Sequence, residues 1–116
     1  MKIEVLYFDG CPNHRPAVEL VREVLREQRL AANIVEVNIR DQSAAQARCF
    51  LGSPTIRING LDVEPSARLS KDYGMMCRTY IDGMQRSGAP SKEMIRAALR
   101  ETLGVAPSRS LRSCSH

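Results

Sequence analysis

Four cysteines, Cys11, Cys49, Cys77 and Cys114, carry the most distinctive chemistry in this 116-residue chain. As thiolates, cysteines attack disulfides or bind soft ions such as mercuric, cuprous or zinc. Cys11 has the context for attack. It lies in Asp9-Gly10-Cys11-Pro12-Asn13-His14, a turn-like cluster between an apolar run and a helical pattern. Near a helix N-terminus, unpaired backbone N–H groups and the positive end of the helix dipole both favour thiolate over thiol. His14 and Arg15 can add positive charge and Asp9 brings a carboxylate close, although His14 also fits a solvated first-turn residue. The stretch Cys11-Pro12-Asn13-His14 has no second cysteine at the Cys-x-x-Cys position. Three possibilities stay open: an external thiol resolves a mixed disulfide on Cys11, a distant cysteine does so, or Cys11 packs as a small hydrophobe without catalysis.

The elements that must position Cys11 follow from periodicity. Residues 2–8 are β-branched, aromatic and almost continuously apolar, which predicts a central strand with Tyr7 in the core. Ala17, Val18, Leu20, Val21, Val24 and Leu25 then share one helical face, and the position of Pro16 favours a helix start near Asn13. A second strand is expected over 34–39. A short helix should follow from Ser43, with Ser43 and Gln46 as a capping box and Gly52 closing its end. Thr55–Ile58 and Leu61–Glu64 flank Asn59-Gly60, the dipeptide suited to a type I′ hairpin. After an irregular stretch from Pro65 to Pro90, Ser91 can cap a last helix with an apolar stripe of Met94, Ile95, Ala98, Leu99 and Leu103, ending at Gly104.

The resulting order, β-α-β-α-β-β-α, is an α/β arrangement with a four-stranded mixed sheet flanked by helices. With Tyr7-Phe8-Asp9-Gly10-Cys11-Pro12-Asn13 and Leu51-Gly52-Ser53-Pro54-Thr55-Ile56, the chain resembles small bacterial thioredoxin-like and glutaredoxin-like proteins. The resemblance covers residues 1 to about 103. Some relatives of that group carry selenocysteine at the position of Cys11, which implies redox work there. The resemblance implies a thiol-disulfide oxidoreductase with Cys11 as nucleophile and Pro54 as a cis-proline. The proline loop would expose a backbone edge to a substrate's extended chain, so Ser53, Pro54 and Thr55, with Pro12, Asn13 and His14, would line the substrate site. Glutathione or another low-molecular-weight thiol would be the reductant. Glutaredoxins commonly carry a glycine pair and an acidic residue after the fourth strand, whereas Glu64-Pro65-Ser66 stands here, so the pocket should differ.

In this order the first strand ends and the third begins at one end of the sheet, and the fourth strand returns the 65–90 segment there. That segment holds Met75-Met76-Cys77-Arg78, which makes Cys77 the expected partner of Cys11, although Cys77 also fits a core cysteine in a short strand over 77–81. Met75 and Met76 should cover the core, and Cys49 beside Phe50 should be a small buried residue.

Composition narrows the alternatives. With 43% hydrophobic and 26% charged residues, the chain fits one domain, placed at 1–104 with an irregular insertion at 65–90. The net charge is +4, and Arg109 and Arg112 supply half of it from a serine-rich segment, 105–116, expected to be a disordered basic tail. No basic stripe or aromatic platform for nucleic acid stands out. No apolar run is long enough for a membrane span, and the N-terminus lacks a signal-peptide pattern, so a cytoplasmic protein acting on protein or small-molecule disulfides is expected. Two alternatives differ in class: soft-metal binding by Cys11 and Cys77, and a non-catalytic interaction module using the Pro54 loop.

Overall fold

The apolar N-terminal run forms β1 (Lys2–Tyr7), and its alternation sends side chains to both faces of a sheet. In the computed structural model, which describes residues 1–104, β1 is an inner strand of the main sheet, between β2 and β3. It pairs in parallel with β2 (Asn33–Asn38), from Lys2 opposite Asn33 to Tyr7 opposite Asn38. On its other side it pairs antiparallel with β3 (Thr55–Ile58), Leu6 opposite Thr55 and Ile3 opposite Ile58. Short β4 (Leu61–Asp62) completes the order β2-β1-β3-β4. The expected hairpin forms, with positive φ at both Asn59 and Gly60 (49° and 89°) as a type I′ turn requires.

Three helices cover the sheet. α1 (His14–Gln28) and α3 (Lys92–Gly104) bury Val18, Val21, Val24, Ile95 and Leu99 against Ile3, Val5, Ile56 and Ile58. On the opposite face Leu6 packs with Ile39, Ala45 and Phe50, where α2 (Gln42–Ala47) lies. Pro16 falls in the first turn of α1, where its missing N–H costs no helical bond. Ser91 caps α3, its Oγ accepting from Met94 N at 3.1 Å.

Several expectations are corrected. The cap of α2 is Asp41, whose carboxylate accepts from Ala44 N at 2.8 Å, so the Ser43–Gln46 capping box does not form. The positive-φ residue that directly follows the C-cap of α2 is Cys49 (φ 54°); Gly52 (φ 111°) lies three residues further on and does not close the helix. Leu103, 59% exposed, leaves the apolar stripe of α3, and Tyr7 is only half-buried. The 65–90 stretch is not wholly irregular. It holds a 3-10 turn at Pro65–Ala67 and a two-stranded hairpin of β5 (Tyr80–Asp82) and β6 (Gln85–Ser87), separate from the main sheet. Cys114 and the expected tail at 105–116 lie outside the described residues. No helix among the described residues is long and apolar enough to cross a membrane.

Candidate functional site

Cys11 follows β1 on consecutive tight turns. Its N–H donates to the Phe8 carbonyl at 3.3 Å, and His14 N–H donates to the Cys11 carbonyl at the same distance. Gly10 permits the first turn with φ +88°. Asn13 is the N-cap of α1, so Cys11 stands just ahead of the helix, half-buried and carrying a free thiol. Exposed Pro12 shares this turn. The Asn13 side chain packs on Gly88, where an added Cβ would fall 2.1 Å from Asn13 Nδ2. His14 turns from the thiol-bearing loop toward the sheet. Its ring stacks on Tyr7 at 3.6 Å between centroids, and its Nε2 lies 2.6 Å from Glu36 Oε1. Asp9 is exposed and accepts from Asn38 Nδ2 at 3.1 Å.

Ser53 links this turn to the second free thiol. The Ser53 hydroxyl accepts from Phe8 N at 3.4 Å, three residues before Cys11. The Ser53 backbone pairs in parallel with Cys77: Ser53 N donates to Met76 O at 2.9 Å, and Arg78 N donates to Ser53 O at 3.0 Å. Residues 73–78 thus form a strap along Phe50–Ser53. Gly74 N donates to Phe50 O at 3.0 Å, and Gln42 Nε2 donates to Tyr73 O at 3.3 Å. The strap passes close over Gly52 (φ +111°); a Cβ there would meet Met76 O at 3.0 Å and Arg78 Cβ at 3.1 Å. Cys77 stands exposed on this strap with its thiol free. Met75 and Met76 are 37% and 41% exposed, so they do not cover the core as expected.

Ser53, Pro54 and Thr55 are buried, and the Ser53–Pro54 peptide bond is cis. Beneath the strap lies a charged network. The Arg78 guanidinium makes two 2.7 Å bonds to the Asp62 carboxylate, and further bonds at 3.1 Å to Glu64 Oε1 and at 3.2 Å to Thr55 Oγ1. It also lies 4.2 Å from the centroid of the Tyr80 ring. Tyr80 in turn donates its hydroxyl to Pro54 O at 2.6 Å. Thr55 donates to Gly52 O at 2.6 Å, and Glu64 accepts from Ile81 N at 3.0 Å. Burial opposes the charge on Arg78, but the bonds to Asp62 and the field of its neighbours hold its pKa above the ordinary value. Burial pushes the Tyr80 hydroxyl up, so it stays a neutral donor.

This network was not anticipated from sequence. Its signal was the alternation Leu61-Asp62-Val63-Glu64, which puts Asp62 and Glu64 on one side of an extended chain while Val63 enters the core. Buried acids at that spacing require a cation, and Arg78 supplies it.

An open cleft of about 410 Å³ lies beyond the C-terminal ends of β1 and β2, lined by Phe8, Asp9, Asn38, Ile39, Arg40 and Met75. Its walls come from both thiol-bearing segments, since Cys11 is two residues past Asp9 and Cys77 two past Met75. Asn38 Oδ1 is buried there without a hydrogen-bond partner. Cys49 is buried at 2% exposure, and its carbonyl accepts from Arg57 at 2.6 Å. Among the described residues no group of three or more His, Cys, Asp or Glu side chains is placed to hold a metal ion. No protein-family model matches the sequence, and no curated protein or solved structure shows significant similarity to it.

Proposed function

We propose that this chain performs thiol-disulfide exchange on a thioredoxin-like framework, with Cys11 as attacking thiolate and Cys77 as resolving thiol. The observation that carries this reading is the double engagement of Ser53. Its hydroxyl holds the base of the Cys11 turn and its backbone holds Cys77, so both free thiols belong to one end of the sheet. The strand directions support the framework: β1 and β2 are parallel, β3 is antiparallel to β1, and the Pro54 loop opens β3. The β5–β6 hairpin is then an insertion before the last helix.

The Cys11 thiolate attacks one sulfur of a substrate disulfide. A Cys11–sulfur bond forms, the substrate S–S bond breaks, and the departing thiolate takes a proton from solvent. The Cys77 thiolate then attacks the Cys11 sulfur, releasing the second substrate thiol and leaving a Cys11–Cys77 disulfide. Two electrons have passed from the protein's thiols to the substrate. A low-molecular-weight thiol such as glutathione returns them. The test is mass spectrometry of the protein after exposure to a small disulfide: Cys77→Ser should accumulate a mixed disulfide on Cys11, and wild type should release it. A Cys11→Ser variant that turns over the disulfide as fast as wild type contradicts the assignment.

Exposed Met75 and Met76 beside Cys77 favour a second reading, capture of a soft ion by Cys11 and Cys77 with thioether support. Mercuric titration decides it. Protection of both thiols at one equivalent supports capture, and no protection contradicts it.

A further inference from the structure

An extended polypeptide binds beside a reactive group most readily by adding a strand, which needs a free backbone N–H and C=O on the protein. Next to the Cys11 turn, the residue positioned for this is Ser53, at the mouth of β3. Both of its backbone groups are already used, the N–H on Met76 O and the C=O on Arg78 N. The strap that fills this edge is anchored by Arg78 in the buried Asp62–Glu64–Thr55 pocket, and Gly52 has no side chain to hold it off. The expected opening of the proline loop toward a substrate chain is therefore occupied by the protein's own residues 76–78.

Among the described residues, a cleft of about 410 Å³ lies open beside both thiol-bearing segments, walled by Phe8 and Asp9 from one and Met75 from the other, a volume suited to a small molecule. Its lining is chemically specific. Arg40 brings a guanidinium suited to a carboxylate, while Asp9 and the unpartnered Asn38 Oδ1 bring acceptors suited to an ammonium group.

Building on the thiol-exchange reading, we infer that the strap is a specificity element that closes the Cys11 site to extended polypeptide disulfides, and that its substrate is a low-molecular-weight disulfide of the amino-acid type, bearing carboxylate and ammonium groups. Arg78 is the positioning residue for the strap, and Arg40 is the residue that selects for carboxylate. The chemistry is the exchange described above. Cys11 joins one half of the small disulfide, the other half leaves as a thiol, and an external low-molecular-weight thiol restores the protein.

The experiment compares three disulfides on the reduced, full-length chain: cystine, hydroxyethyl disulfide, and an extended peptide of about ten residues carrying a disulfide-linked cysteine. Cystine should react fastest and the peptide slowest, the two differing by at least about tenfold. Arg40→Gln should bring the cystine rate down toward that of hydroxyethyl disulfide. Arg78→Lys keeps the charge but not the paired bonds to Asp62. It should raise the peptide rate relative to cystine and speed hydrogen exchange at the Ser53 and Arg78 amides. If Arg78→Lys does not fold, the wild-type rate ratio and the wild-type protection of those two amides decide the matter alone. A peptide rate equal to that of cystine, or unprotected amides in wild type, overturns this inference and leaves thiol exchange standing. An Arg40→Gln variant that treats cystine as wild type does overturns the carboxylate assignment. Failure of all three disulfides to react with Cys11 overturns the thiol reading as well.

Discussion

The two segments that present the free cysteines are built on opposite physical terms. The Cys11 turn is held by long backbone bonds of 3.3 Å and a glycine, and an added Cβ on Gly10 meets nothing within 4 Å. The Cys77 strap is held by shorter backbone bonds, by a glycine with no room to spare, and by a guanidinium buried against two carboxylates. On the proposed thiol exchange, a nucleophile that must approach a substrate sulfur, and then face a resolving thiol, gains from a yielding turn. A segment that fixes where the second thiol stands gains from a rigid one. On that proposal, stability and reactivity are assigned to different loops at the same end of the sheet.

The sharpest way to break this contrast is to remove the anchor. Arg78→Met leaves Asp62 and Glu64 buried without their cation and should cost about 3–5 kcal/mol in urea unfolding. Cys11→Ser, by comparison, should change stability by less than about 1 kcal/mol. Equal losses for the two variants would dissolve the distinction. Next in size are the glycines. Gly52→Ala combines a left-handed φ with a Cβ placed 3.0 Å from Met76 O and should cost about 2–3 kcal/mol. Gly10→Ala meets only the backbone cost of about 1–2 kcal/mol, since nothing crowds its Cβ. Thermal midpoints of the two variants check the order.

The smallest effect concerns Tyr80. Tyr80→Phe removes the hydroxyl bond to Pro54 O and should lower stability by about 1 kcal/mol at neutral pH. Burial raises the folded pKa of Tyr80 above its ordinary 10.0, so the folded state holds this proton more tightly than the unfolded one. The contribution is complete below pH 10.0 and is lost as pH rises past it. The gap between wild type and Tyr80→Phe should therefore narrow in alkaline solution. A gap that stays constant from neutral pH to pH 11 would mean that the hydroxyl is not shielded.

What could be read from the chain was local. Pro16 set the start of α1 within a residue, Asn59-Gly60 set the hairpin, and the apolar faces of α1 and β1 set the core, because each depends on residues within a few positions of one another. At the start of α2, Asp41 and Ser43 both satisfy the local capping rule, and it is the carboxylate of Asp41 that reaches Ala44 N. The strap was legible only in direction: a returning fourth strand brings Cys77 to the end of the sheet where Cys11 lies. Its anchoring was hidden, since Asp62 and Arg78 are 16 positions apart and the stretch between them has little periodicity. The β5–β6 hairpin leaves no sequence signal for a related reason. Ile81, Met84 and all of β6 are exposed, so no alternation of buried and exposed side chains marks its strands.

The most direct test of the central claim is the fate of a small disulfide on the Cys77→Ser protein, followed by mass spectrometry with the modified residue identified after digestion. The account predicts a stable adduct on Cys11 that wild-type protein resolves to a Cys11–Cys77 disulfide. Wild type that never forms that internal disulfide, or an adduct that forms equally well when Cys11 is serine, would contradict it.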